Sequence, residues 1–287
     1  MSKPSDEMIG QTVVIGCGGS GCNIVSHLQS YSNIPTISIN ATSSNNVTIS
    51  LGNKDFIGCR GDSNLGWAIA DKHSEEITER IRDYSNVVIT ACLGGGIGTG
   101  AIEVVARCAK SLGIKAIAVI GIPMNFEVER HKKALSQLKE IVDITDRTIL
   151  FDMNKLEDIG GGPFKLESVL FATDEILCEA MIRINDVLDG PFFSTFTERI
   201  YSVSFAASDD MRVASLKAMK SALFAADPNY GKIVISVKNE LSEPEKTLIR
   251  DTVCGKTGIV PDLITTGEGD VHEIMFFIPI SYRSLLS

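Results

Sequence analysis

Short apolar runs and amphipathic segments alternate along the first half of the chain. Thr12-Val13-Val14-Ile15, Thr36-Ile37-Ser38-Ile39 and Val87-Val88-Ile89-Thr90-Ala91-Cys92 are rich in β-branched residues and bounded by turn residues. So are Lys115 to Ile122, stopped by Pro123, and Thr148-Ile149-Leu150-Phe151. Each predicts a buried strand. Between them the apolar period lengthens to that of a helix. One helix runs through Asn23, Val25 and Leu28, and one from Leu65 to Tyr84 with Ile69, Ile77 and Ile81 on its inner face. A third covers Ala101 to Lys110 and ends at Gly113, and a fourth runs from Val128 to Val142. Strands separated by helices predict an α/β fold with a doubly wound, mostly parallel sheet.

The second half has another rhythm. Leu166, Val169, Leu170, Ile176, Leu177, Met181, Ile184 and Leu188 keep helical spacing, which predicts one long helix over Phe164 to Leu188, stopped by Gly190-Pro191. Strands follow at Tyr201 to Ala206, Lys232 to Val237, Leu263 to Thr266 and Glu273 to Ile278, with helices over Asp210 to Phe224 and Pro244 to Cys254. This predicts a smaller α+β domain whose last two strands are antiparallel. The expected organisation is a ligand-binding domain over 1–163, a central helix over 164–189 and a C-terminal α+β domain over 190–287. The last has no Gly-rich ligand loop and is expected to offer surface to partners or to a next subunit.

Chemistry concentrates where strands turn into helices. Gly94-Gly95-Gly96-Ile97-Gly98-Thr99-Gly100 has five glycines in seven residues, between the strand ending at Cys92 and the helix that follows. Absent Cβ atoms let backbone N–H groups approach a ligand, and a helix start adds partial positive charge, which together suit a phosphate. The same glycines also serve tight packing. Gly16-Cys17-Gly18-Gly19-Ser20-Gly21 places Gly16, Gly18 and Gly21 on the dinucleotide template after the first strand. The next strand, however, ends in Asn40-Ala41-Thr42, with no acid for a ribose, which argues against a nicotinamide cofactor. Gly255-Lys256-Thr257 is not a Walker loop, because Arg250 stands where the first glycine belongs. Gly58 to Asn64 reads either as another loop beside the site or as an ordinary surface loop. Asp174 lies near the start of the long helix, placed either to face a base or as a solvated carboxylate.

Net charge is −9, which argues against a nucleic-acid partner. The seven cysteines include no CxxC pair and lie scattered in apolar segments, as expected of reduced core thiols in a cytoplasmic protein. No apolar run approaches membrane-spanning length, and Met1 to Gln11 lacks an apolar signal core.

These residues support a family resemblance. Gly94 to Gly100 closely resembles the GGGTGTG signature of the tubulin and FtsZ superfamily. The first loop with Asn23 resembles the FtsZ version, Pro123-Met124-Asn125-Phe126-Glu127 its P-F-N-F-E loop, and Ala172-Thr173-Asp174 its A-N-D nucleotide motif. The resemblance runs from about residue 9 to residue 280. It implies a GTP- or GDP-binding domain, a central helix and an activation-type C-terminal domain. In that reading Gly18, Gly19, Ser20 and Gly21 approach the phosphates. Gly94, Gly95, Gly96, Gly98, Thr99 and Gly100 cradle the β- and γ-phosphates. Asn23 and Asp174 meet the guanine edge, Glu127 meets the ribose, and Mg²⁺ bridges phosphate oxygens with no protein cage of its own. His131 takes the place of a family arginine, with Arg130 beside it.

The resemblance also implies assembly of copies of the chain head to tail. Here the sequence departs from the family. The family loop after the central helix carries N-x-D-x-x-D, whose acids orient the attacking water of the neighbouring subunit. Gly190 to Arg199 lacks that motif, and Glu198 is its only acid. Asp186 and Asp189 have the spacing but belong to the helix end, where solvation of that end is their expected role. The expectation is a filament former with slow or impaired GTP hydrolysis, Glu198 being the candidate catalytic acid. The second class is a nucleotide-binding regulator that neither hydrolyses nor polymerises. FtsZ proteins usually continue into a tail that binds membrane anchors. None follows Ser287 in this sequence, so no direct membrane contact by that route is expected.

Overall fold

The computed structural model describes residues 11–42, 47–52, 58–154, 166–188, 191–220, 231–266 and 272–281. The expected domain boundary at 163, Phe164, Asp189, Gly190, the end of the 210–224 helix and the first ten residues lie outside these. The chain divides into two compact units, Met1–Thr148 and Ile149–Ser287.

The first unit contains β1 (Thr12–Cys17), α1 (Gly18–Leu28), β2 (Thr36–Asn40), β3 (Ile49–Ser50), α2 (Ser63–Asp71), α3 (Ser74–Ile81), β4 (Asn86–Cys92), α4 (Ile97–Ser111), β5 (Lys115–Ile122) and α5 (Val128–Ile144). The strands run in the order β3-β2-β1-β4-β5, all parallel. β1 and β4 are buried along their whole length, the reason Val13-Val14-Ile15 and Val87-Val88-Ile89 run apolar without alternating. Each fully buried aliphatic side chain here, such as Ile15, Ile24 or Val88, contributes about 1.5–3 kcal/mol.

The helix expected from Leu65 to Tyr84 is two helices, α2 and α3, broken at Lys72-His73. Both pack on α4: the Trp67 indole N–H donates to Glu103 at 3.0 Å, Arg107 pairs with Asp71 at 2.5 Å, and the Cys108 thiol meets the Ser74 carbonyl at 3.5 Å. A straight helix of that length would rise roughly 30 Å and leave α4 behind. The break lets both segments follow it. Ile77 and Ile81 are buried as expected, whereas Ile69 is half-buried.

The second unit follows β6 (Arg147–Asp152), which straddles the division. It contains α6 (Leu166–Leu188), a 3₁₀ turn over Pro191–Thr195, β7 (Ile200–Ser208), α7 (Met211–Lys220), β8 (Val234–Val237), α8 (Glu243–Thr257), β9 (Asp262–Thr265) and β10 (His272–Pro279). β10 is antiparallel, as expected, but its partners are β7 and β8, while β9 pairs parallel to β8 at the outer edge. The burial explains the arrangement. Ile274 to Ile278 is apolar throughout and needs cover on both sides, whereas β9 carries Asp262 and an exposed Thr265, which suit an edge. α8 starts with a Ser242–Glu245 capping box and Pro244, and ends at Gly258 in the left-handed region.

Charge is buried at the heart of this unit. Arg183 of α6 is 1% exposed. It reaches Glu179 at 2.6 Å, Glu273 at 3.1 Å and the Thr266 hydroxyl at 2.8 Å. Lys238 joins through Glu273 at 2.7 Å. Asp186, on the exposed side of α6, has its carboxyl raised above the usual range by partial desolvation, against the pull of Arg183.

Candidate functional site

The site candidates of the first unit lie where its strand order reverses. From β1 the sheet continues to β2 and β3 on one side and to β4 and β5 on the other. The β1–α1 and β4–α4 loops therefore flank a crevice at the carboxyl ends of β1 and β4, the usual ligand position in an open α/β sheet. The two Gly-rich sequences occupy those two loops. They touch: Gly18 has φ +71°, and a Cβ on it would stand 2.7 Å from the Gly98 nitrogen and 2.8 Å from its Cα. Gly94, at φ +78°, lies under Arg130 of α5, so the β5–α5 loop closes on the same place.

The glycines divide by what surrounds them. Gly16 and Gly21 face each other, and a Cβ on Gly21 would also stand 2.5 Å from the Thr90 carbonyl oxygen. Their absent side chains let α1 lie against β1 and β4. Gly96 and Gly100 are pressed by Cys59 and by the Gly66–Trp67 backbone of α2. At these positions the packing explanation holds. Gly19 and Gly95 are different: a Cβ on either would meet nothing within 4 Å. They are the two loop glycines with open space in front of their backbone. Gly66 was not singled out in the sequence, although an isolated glycine inside a helical pattern is the usual sign of such a close approach.

Both helix starts are prepared for an anion. Neither α1 nor α4 has a side-chain cap or an acid in its first turn. Their leading N–H groups therefore carry the partial positive charge of a helix start without an internal acceptor. The Ser20 hydroxyl accepts the Cys92 N–H at 3.0 Å, tying the first loop to the end of β4. Thr99 is 5% exposed, and its hydroxyl has no protein partner. Asn23 is exposed on α1. Glu127 precedes α5 and pairs with Arg130 at 2.8 Å. His131 Nδ1 lies 2.6 Å from the Pro123 carbonyl oxygen. A carbonyl only accepts, so Nδ1 carries a proton there.

Thiol chemistry does not fit the loops. Burial, with Cys22 nearby, holds the Cys17 thiol far above its ordinary range, and burial pushes Cys22 up to about 11. Neither is a thiolate at neutral pH.

Two candidates belong to the second unit. Asp174 is half-buried on α6. Glu198 lies against Gly231, whose added Cβ would stand 2.7 Å from Glu198 Cγ. Its Oε1 accepts the Thr197 hydroxyl at 3.3 Å, and its backbone N–H donates to the Tyr201 hydroxyl at 3.0 Å. Among the described residues no group of three His, Cys, Asp or Glu could hold a metal ion. Nor is any helix among them long and apolar enough to cross a membrane.

Comparison with known proteins bears on the family and the fold. Residues 30–161 match the Tubulin/FtsZ family, GTPase domain. Cell division protein FtsZ of Neisseria gonorrhoeae is 32% identical over 188 residues, 62% of this chain and 48% of that protein. The chain thus spans about half the length of the relatives it matches. Among solved structures, the FtsZ W319Y mutant of M. jannaschii superposes with a TM-score of 0.81 at 23% identity, covering 96% of this chain and 92% of that one. CetZ2 of Haloferax volcanii, solved as a GTPgS-bound protofilament, gives 0.77 at 15% identity over 96% of both chains. Both likenesses concern the fold.

Proposed function

The chain is a divergent, FtsZ-like member of the tubulin/FtsZ superfamily, and from that premise we propose that it binds guanine nucleotide and stacks head to tail into filaments that turn GTP over slowly. The observation that carries this reading is the meeting of the two glycine loops at the switch point. Gly19 and Gly95 face open space there, between two uncapped helix starts. Backbone N–H groups in that setting suit di- and triphosphates. Thr99 adds a buried hydroxyl without a protein partner. Mg²⁺ fits as an ion carried on the phosphate oxygens and water, where it would neutralise phosphate charge. Asn23 and Asp174 are assigned to the guanine edge, where a carboxylate accepts from the N1–H and the 2-amino group together. Glu127 is assigned to the ribose, with His131 beside it.

Head-to-tail contact between unlike faces builds open filaments rather than closed rings. The GTPgS-bound protofilament of CetZ2, on the same fold, supports this assembly mode. Slow turnover follows from the absence of N-x-D-x-x-D between Gly190 and Arg199. A positioned general base typically contributes ~10²–10⁴ in rate. Glu198 is the acid left in that stretch.

Light scattering and pelleting with GTP, GDP and a non-hydrolysable analogue test the proposal. Scattering with GTP and the analogue, together with slow phosphate release, is the expected result. Thr99→Ala should weaken GTP by about 1.5–3 kcal/mol, the worth of a hydrogen bond to a charged partner. Glu198→Gln should cut residual turnover while assembly persists. GTP binding without scattering would favour a nucleotide-binding regulator. Equal affinity for ATP and GTP would remove the guanine assignment.

A further inference from the structure

Where α2, α4 and α5 converge in the first unit, a groove of about 570 Å³ opens, a size that suits a small molecule. Thr99 and Gly100 line it from the first turn of α4, Trp67 from α2, and Gln137 and Glu140 from α5. Two of these side chains hold buried polar atoms with no protein partner, Thr99 Oγ1 and Gln137 Oε1. Leaving such atoms unmatched is costly, so each calls for a polar partner: the Gln137 oxygen accepts, and the Thr99 hydroxyl can accept while still donating elsewhere. The other end of the Gln137 amide is already engaged by the Ser63 hydroxyl. Turned over, that amide would accept from Ser63 and show the groove a donor instead, so the charge of the lining, not the amide alone, selects the ligand.

The charge of the lining decides which kind of ligand fits. Glu103, Glu140 and Asp143 face the groove against a single lysine, Lys110. Asp143 is also paired with Lys139 at 2.7 Å, and one Glu103 oxygen accepts the Trp67 indole N–H. That leaves Glu140 and the second Glu103 oxygen to attract a cation. A phosphate or carboxylate ligand would meet like charge there. Ile144, half-buried, supplies apolar surface for an aliphatic body, whereas Ile141 is almost wholly covered.

We propose that this groove binds a small organic polyamine cation. Its N–H groups donate to Thr99 Oγ1 and Gln137 Oε1, its positive charge is balanced by Glu103 and Glu140, and its methylene chain lies on Ile144. Because Thr99 and Gly100 belong to the turn that opens α4 beside Gly95, polyamine and nucleotide affinities are linked and must shift each other by the same factor. That linkage, unlike the binding itself, rests on the nucleotide reading.

Isothermal titration of spermidine into the nucleotide-free full chain at 150 mM salt tests the site, with Mg²⁺ at matched ionic strength as control. Saturable one-to-one binding is expected. The Glu103→Gln, Glu140→Gln double variant should weaken it at least tenfold and Gln137→Leu several-fold, with circular dichroism unchanged. Absence of saturable binding overturns the proposal, as does equal affinity in the variants, which would mean diffuse attraction to an acidic surface. Gly95→Val separates the two sites: it should abolish GTP binding and leave spermidine affinity intact. Spermidine binding by a protein that ignores GTP would keep the groove and remove the nucleotide reading. GTP binding without spermidine binding would do the reverse.

Discussion

The glycine loops of the first unit and the Arg183 cluster of the second organise polar chemistry in opposite ways. The loops are defined by what their residues lack. Gly18, Gly21 and Gly96 have no room for a Cβ, and Gly19 and Gly95 leave the backbone open. The Arg183 cluster is defined by what its residues carry: a guanidinium 1% exposed, matched by Glu179, Glu273 and Thr266. Substitution in the first region acts through steric fit, in the second through unmatched charge. The two therefore fail at different magnitudes.

The largest expected effect is Arg183→Met. Removing one partner of a buried ion pair costs about 3–5 kcal/mol, and the partial exposure of Glu179 and Glu273, 17% and 23%, places this case at the low end. Urea denaturation of the variant measures it. Replacing both acids by leucine and Lys238, their other partner, by Met in the same chain should recover most of the loss, and no recovery would mean that Arg183 acts by packing alone.

Gly21→Ala comes next. Its Cβ would meet backbone carbonyl, not a movable side chain, so overpacking of about 1–3 kcal/mol is expected. Unchanged stability would show that α1 can move away from β4 freely, and the contrast between the regions would weaken.

Alkaline pH probes the thiols beneath the first loop. The native state holds the Cys22 proton up to about 11, whereas an unfolded thiol releases it near 9.0. Between those values the unfolded state binds fewer protons, so stability is full below 9.0 and falls as pH rises through the window. The slope is at most about 1.4 kcal/mol per pH unit for one thiol. A Cys17→Ala, Cys22→Ala variant should show a shallower fall in urea midpoint than the parent, and identical slopes would discard the assignment.

Gly19→Ala should change stability least, within about 0.5 kcal/mol, because its Cβ meets nothing. It should still reduce nucleotide affinity. The pair Gly19→Ala and Gly21→Ala thus separates an open glycine from a packing glycine six atoms of backbone away from it in sequence terms.

The parallel strands and both glycine loops were legible because buried strands and strand-to-helix turns leave local signals. What each glycine does was not legible. Gly19 and Gly21 stand in one motif, and only the approach of Thr90, from a distant strand, distinguishes them. The break at Lys72-His73 was hidden because no glycine or proline marks it; the run of α4 imposes it. Arg183 illustrates the same limit. Its pairing with Glu179 at helical spacing reads as an ordinary surface pair, and Glu273 and Thr266 reach it only through the folded sheet. Pairing of β9 and β10 failed likewise, because strand order is set by burial across the sheet.

The contact between Gly18 and Gly98 has a genetic consequence. The atoms that would collide with a side chain at position 18 are the nitrogen and Cα of residue 98, present whatever amino acid stands there. No second-site substitution can shrink them, so suppressors of Gly18 variants should be true revertants or substitutions that stabilise the fold elsewhere, with none at position 98. At Gly231 the obstacle is the Glu198 side chain, which a smaller residue would remove, leaving only the strain of φ +124°. The two glycines differ in whether inheritance offers a way back.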